Sequence, residues 1–248
     1  MQTVAEAQPR PARAQPDPAD HLIVALDFPS ADAALDLVDR LQGTCRWFKV
    51  GMELYYTAGN SVVEHLIRRD CKIFLDLKLH DIPNTVAGGV RSVADLGVSL
   101  LTIHAGGGQQ MMRAAAQAAS APNAPRLLAV TVLTSMDAAE LTAVGVTDSP
   151  TAQVLRLARL AHTAGVDGLV CSAQEVAAVR EAMGPEALLV VPGIRPAGVG
   201  LNDQSRIATP ADAIASGASM LVVGRPITQA ADPAAAAAQI LAEIKAAL

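Results

Sequence analysis

The stretch KIFLDLKLHDIPNT, residues 72–85, decides how the rest of the chain reads. It opens as a strand-length run of period two, with Ile73, Leu75, Leu77 and Leu79 on one side and Lys72, Phe74, Asp76 and Lys78 on the other. The all-apolar side is the one a strand turns toward covering helices. Asp76 and Lys78 are left pointing inward, where a charge is expensive unless it is paired or used.

Working outward, seven more apolar runs of strand length flank this one: LIVALD (22–27), RWFKV (46–50), VSLLTIH (98–104), RLLAVTV (126–132), DGLVC (167–171), LLVVPGI (188–194) and SMLVVG (219–224). Segments of helical period lie between them. Ser30, Ser149-Pro150, Thr209-Pro210 and Asp232-Pro233 mark helix starts, and Gly43, Gly97, Gly165 and Gly217 mark stops. Eight strand–helix units predict an α/β fold, a (β/α)8 TIM barrel occupying residues 21–248 as a single domain. An open doubly wound sheet would carry a GxGxxG turn after its first strand, where this chain has ALDFPSAD. Gly106-Gly107-Gly108 reads as a tight turn after the fourth strand rather than a phosphate loop.

The 248 residues are 51% hydrophobic and 17% charged, enough to bury a large core without disulfides or metals. A formal charge of −5 and only six aromatic residues argue against a nucleic-acid or anionic-membrane partner. Cys45, Cys71 and Cys171 form no CxxC and are an odd number, which fits small buried hydrophobes in a reducing, cytoplasmic setting. The five histidines make no HxxxH pair, so no metal site is expected. Residues 1–20, rich in Pro and Ala and without the apolar core of a secretory signal, read as a disordered extension. No apolar run reaches the roughly 18 residues of a spanning helix.

A barrel builds its active site at the C-terminal ends of its strands, and there this sequence places charge. Strand one ends in Asp27, strand two carries Lys49, and strand three carries Asp76 and Lys78 with Asp81 just beyond. Strand four ends in His104, strand seven runs into Arg195 and strand eight into Arg225. A buried ion-pair network closing the barrel is the bland alternative. Four cations converging on one face of an acidic protein favour an anionic ligand. The loops after strands seven and eight commonly hold phosphate in such barrels: Arg195 and Arg225 can chelate it, backbone N–H groups near Gly224 can add donors, and Gln204 can close over it.

With Val24-Ala25-Leu26-Asp27, Phe48-Lys49-Val50-Gly51, Val132-Leu133-Thr134-Ser135, Pro192-Gly193-Ile194-Arg195-Pro196 and Gly224-Arg225-Pro226, the DLKLHDIPNT run (76–85) resembles the orotidine 5′-monophosphate decarboxylases over about residues 21–245. The resemblance implies cofactor-free conversion of orotidine 5′-monophosphate to uridine 5′-monophosphate, the last step of de novo UMP synthesis. It implies an array of Lys49, Asp76, Lys78 and Asp81, with Lys78 the proton donor and Asp81 donated by the second subunit of a homodimer. Asp27 and Lys49 would hold the ribose, Thr85 of the partner would assist at the 2′-hydroxyl, and Ile82 would also line the substrate site. Thr134 would face the pyrimidine edge, and Gln204, Gly224 and Arg225 would bind phosphate beside Arg195.

Sugar-phosphate decarboxylases of the same barrel superfamily, resembling 3-keto-L-gulonate 6-phosphate decarboxylase, also carry Asp-x-Lys-x-x-Asp, usually with magnesium. They typically have an acidic residue on strand two, where this chain has Lys49. A Schiff-base aldolase would need an uncharged lysine, which the carboxylates at 76 and 81 oppose. A non-catalytic nucleotide-binding barrel is the alternative outside the enzymes, separable only by assay.

Overall fold

The computed structural model describes residues 17–196 and 208–248. Eight parallel strands close on themselves in sequence order. They are β1 (Leu22–Ala25), β2 (Trp47–Gly51), β3 (Lys72–Leu79), β4 (Leu100–His104), β5 (Arg126–Val130), β6 (Gly168–Val170), β7 (Leu188–Val191) and β8 (Met220–Val223). Closure is made by β1, which pairs Ile23 with Trp47 of β2 and Val24 with Val223 of β8. Every apolar run in the sequence yields a strand; six are trimmed at their ends, while β2 and β3 each reach one residue further, to Gly51 and Leu79.

Eleven helices wrap the described barrel. These are α1 (Ala31–Arg40), α2 (Met52–Ala58), α3 (Asn60–Ile67), α4 (Pro83–Ala94), α5 (Gly108–Ala118), α6 (Ala138–Ala143), α7 (Pro150–Thr163), α8 (Val176–Met183), α9 (Pro210–Ala215), α10 (Arg225–Thr228) and α11 (Pro233–Ala247). The four sequence-marked starts are N-caps in fact: Ser30, Ser149, Thr209 and Asp232 accept backbone N–H bonds from Ala33, Ala152, Asp212 and Ala235. The marked stops Gly43, Gly97, Gly165 and Gly217 all take left-handed φ, which only glycine adopts freely.

Strand alternation sorts the apolar residues into two shells. Leu22, Val24, Ile73 and Leu75 pack outward against the helices, while Ile23, Ala25, Phe74, Leu100, Leu128, Val190, Met220 and Val222 fill the barrel. The inner group plugs the barrel below the strand ends, so polar chemistry is confined to the C-terminal mouth. Lys72, on the inward side of β3, escapes burial at the opposite end, where its ammonium lies 5.3 Å over the Trp47 ring.

Residues 1–16 lie outside the described residues, but the expectation of disorder fails for the last four of the extension. Pro18–Asp20 form a 3-10 turn capped by Asp17. Arg46 ion-pairs with both Asp17 and Asp20, and Trp47 donates to Asp20 at 3.4 Å, tying this segment beneath the barrel. Composition alone did not show those partners, which stand some thirty residues away.

Gly168 shows how tightly the inner shell is filled. A Cβ there would meet the Leu188 carbonyl oxygen at 2.5 Å and Leu128 Cδ2 at 2.8 Å. Gly168→Ala is expected to lower stability by about 1–3 kcal/mol, because backbone rather than a movable side chain blocks the space. A urea-unfolding midpoint equal to wild type would contradict this packing.

Candidate active site

The mouth is occupied by a cavity of about 510 Å³ lined from nearly every strand end, including Asp27, Lys49, Asp76, Lys78, Thr134, Arg195, Gly224 and Arg225. Its floor is apolar, with Ala25, Phe74 and Val222 belonging also to the barrel core. A small anionic molecule entering this space meets charge at the rim and hydrocarbon beneath.

Asp76 is the centre of the charged row. Lys78 Nζ donates to both of its carboxylate oxygens at 2.9 Å, and Lys49 Nζ lies 3.6 Å from Oδ2. Lys49 in turn donates to Asp27 Oδ1 at 2.9 Å. The sequence Asp27, Lys49, Asp76, Lys78 is thus one alternating chain of charges. The Lys49 and Asp76 side chains are only 12% and 13% exposed, whereas Asp27 reaches solvent at 63%. A partly buried charge is costly unless it is paired, and Lys49 and Asp76 are each paired twice. Gly51 keeps the row uncrowded, since a Cβ there would stand 3.2 Å from Lys49 Nζ.

The row depends on a defect in β3. Leu75 pairs with Leu101 and Leu79 with Ile103, so three residues of β3, Asp76 to Lys78, face the single Thr102 of β4. Two extra residues preserve the alternation, which is why Leu77 and Leu79 still pack outward against the main core as the sequence predicts. The swelling is accommodated at Lys78, whose φ is +49°, a left-handed conformation costing a non-glycine residue roughly 1–2 kcal/mol. Regular periodicity in the sequence gave no sign of it.

Other expected groups fall in different places. Arg195 is buried in the cavity wall, and its backbone N–H donates to the Ala208 carbonyl at 3.0 Å. Arg225 opens α10 immediately after Gly224. Gln204 lies outside the described residues. Asp81, Ile82 and Thr85 do not join the row within this chain: all three are exposed, and Asp81 accepts the Ile82 N–H at 2.6 Å. Thr102, Cys171, Thr228 and Gln229 were missed by sequence reasoning; the last three line the cavity. Cys171 is a buried thiol pushed up to about 12 by desolvation, so it serves as wall rather than nucleophile.

Among the described residues, neither His80 nor His104 hydrogen-bonds to the charged row. Their rings stack on each other at 5.0 Å and 13°. His104 Nδ1 accepts the Gly106 N–H at 3.1 Å, which places its own proton on Nε2. Burial first, then the His80 ring and the Lys78 ammonium, hold the His104 imidazole below the usual 6.5.

A closed barrel with an alternating charged row and two arginines at its C-terminal mouth defines a (β/α)8-barrel enzyme suited to a small anionic molecule. The model of the orotidine 5′-phosphate decarboxylase / HUMPS family matches residues 20–240. Over 227 residues the chain is 56% identical to an orotidine 5′-phosphate decarboxylase of Halorhodospira halophila, covering 91% of this chain and 96% of that one. It is 54% identical over 225 residues to another, from Anaeromyxobacter dehalogenans, covering 91% and 98%. The crystal structure of orotidine 5′-phosphate decarboxylase from Lactobacillus acidophilus superposes with a TM-score of 0.81 at 41% identity, covering 91% of this chain and 99% of that one. This chain belongs to the orotidine 5′-phosphate decarboxylase / HUMPS family.

The lowered His104 pKa carries a sign. A histidine that is harder to protonate when folded than unfolded leaves stability intact above the unfolded value of 6.5, and stability is lost as pH falls through 6.5 toward the folded pKa. His104→Asn retains an acceptor for Gly106 but cannot titrate. Between about pH 7.5 and about pH 5 it is expected to lose less stability than wild type, read from urea midpoints. Equal losses would show that His104 contributes nothing to acid sensitivity.

Proposed function

We propose that this chain decarboxylates orotidine 5′-monophosphate to uridine 5′-monophosphate and carbon dioxide, the last step of de novo UMP synthesis, without a cofactor. The observation that carries the reading is the Asp27–Lys49–Asp76–Lys78 row, standing at the mouth of a barrel that also presents Arg195 and Arg225 to the same cavity. Lys49 in place of an acidic residue on strand two favours it over the magnesium-dependent sugar-phosphate branch.

The chemistry asks for this arrangement. Breaking the bond between C6 and the carboxylate leaves an electron pair in the plane of the pyrimidine, where the π system cannot delocalise it. A fixed ammonium beside C6 stabilises that pair as it develops. Lys78 then transfers a proton from Nζ to C6, carbon dioxide departs, and the lysine recovers its proton from solvent. Asp76 holds the ammonium in place through two hydrogen bonds. Asp27 and Lys49 bind the ribose, Thr134 faces the pyrimidine edge, and Arg225, Gly224, Gln204 and Arg195 take the phosphate.

The site is completed by a second copy of the chain in a homodimer. Asp81, Ile82 and Thr85 follow the end of β3 outward, and Ile82 is 67% exposed, a large apolar side chain at the rim. In this reading the partner's copies of Asp81 and Thr85 reach the active site, and by two-fold symmetry the exchange occurs twice. The protein works in the cytoplasm: its free thiols fit a reducing compartment, and no helix among the described residues is long and apolar enough to cross a membrane.

Lys78→Ala is expected to lower kcat by about 10²–10⁴-fold or more while product binding persists, since the lost interaction is made in the transition state. Asp81→Ala is expected to be similarly impaired. Mixing the two variants under subunit exchange restores activity, because one site of the mixed dimer combines an intact Lys78 with an intact Asp81 from the opposite chain. No recovery, with mixed dimers confirmed by native mass spectrometry, rejects the shared site.

Arg225→Ala is expected to reduce kcat/KM by about 10²–10³-fold for the nucleotide and far less for orotidine lacking its phosphate. Equal losses on both substrates would remove Arg225 from the phosphate site.

A further inference from the structure

Thr102 stands in β4 opposite the swollen part of β3, wholly buried and away from the cavity wall. Its hydroxyl is used twice. It accepts the backbone N–H of Lys78 at 2.8 Å and donates its own proton to Asp76 Oδ1 at 3.0 Å. The assignment is unambiguous, because an amide N–H only donates and an ionised carboxylate only accepts.

Both contacts answer a need created by the swelling. Three residues facing one leave the Lys78 N–H without the β4 backbone partner that a regular ladder would supply, and a buried N–H must be satisfied. The Thr102 hydroxyl replaces that partner, and in doing so fixes Lys78 in its left-handed backbone conformation. Through its proton the same oxygen sets the rotation of the Asp76 carboxylate, whose two oxygens both meet Lys78 Nζ. A threonine suits the task, since branching at Cβ restricts its χ1 and so fixes the direction of the hydroxyl.

We infer that Thr102 is a positioning residue for decarboxylation: one buried hydroxyl fixes both the backbone of Lys78 and the carboxylate that holds its ammonium, without touching substrate. The inference rests on the decarboxylase reading above. Misplacement of a reacting group by about 1 Å costs on the order of 100-fold in rate, while ground-state binding at the ribose and phosphate is left alone.

The test compares Thr102→Val, which keeps the shape and removes the hydroxyl, with Thr102→Ser, which keeps the hydroxyl. Thr102→Val is expected to lose about 10- to 100-fold in kcat, with KM and UMP affinity within about twofold of wild type. Thr102→Ser is expected to recover kcat to within about threefold. A valine variant retaining more than about half of wild-type kcat overturns the inference, as does a loss that serine fails to recover. Crystal structures of wild type and Thr102→Val supply an arm independent of turnover. A Lys78 backbone that leaves the left-handed region, or a longer Lys78–Asp76 contact, supports the role; unchanged geometry overturns it. Wild-type protein inactive on orotidine 5′-monophosphate would instead defeat the decarboxylase reading, and the crystallographic arm would still judge Thr102.

Discussion

One carboxylate shared by two ammonium groups organises the mouth of this barrel. Asp76 sits between Lys78 and Lys49, mostly out of water: it takes both hydrogen bonds of Lys78, and it shares Lys49 with Asp27. Removing Asp76 would leave Lys78 without its carboxylate partner and Lys49 with Asp27 alone, whereas each of the other three groups can be lost with its inner neighbour still paired. The rest of the fold supplies what that series needs: a plugged barrel interior below, neighbouring strands in fixed register, and a local swelling of β3 that turns Lys78 onto Asp76.

The row also reconciles an acidic protein with an anionic ligand. The chain carries a formal charge of −5, yet Lys49, Lys78, Arg195 and Arg225 all reach one cavity. Cations gathered over low-dielectric walls present a local field opposite to the net charge, and the local field is what a small ligand meets at close range. Net charge argues against extended polyanions as partners; it has no bearing on a small nucleotide.

The fold was legible because eight apolar strand runs alternate with helical segments, and around α1, α7 and α9 a capping side chain before the helix and a glycine after it agree with that pattern. The charged strand ends were legible because Asp27, Lys49, Asp76 and Lys78 stand at or near the C-terminal ends of otherwise apolar runs. What could not be read was geometry that breaks the period. The swelling of β3 adds an even number of residues and so leaves no mark on the alternation, and Thr102 looked like ordinary strand filler between Leu101 and Ile103. The stacking of His80 on His104 and the bond from Gly106 were equally hidden, because they depend on how β4 turns into α5 and not on residue type. Asp17 and Asp20 found order through partners distant in sequence.

In the proposed reaction this row of side chains decarboxylates a pyrimidine nucleotide by its own charge, with no metal or cofactor. The most direct measurement follows the ultraviolet absorbance of orotidine 5′-monophosphate with purified wild-type protein in the presence of excess chelator, with products identified by chromatography. Complete conversion to uridine 5′-monophosphate, at a rate the chelator does not change, is the predicted result. Persistence of the substrate, or turnover that stops in chelator and returns with added magnesium, would contradict it.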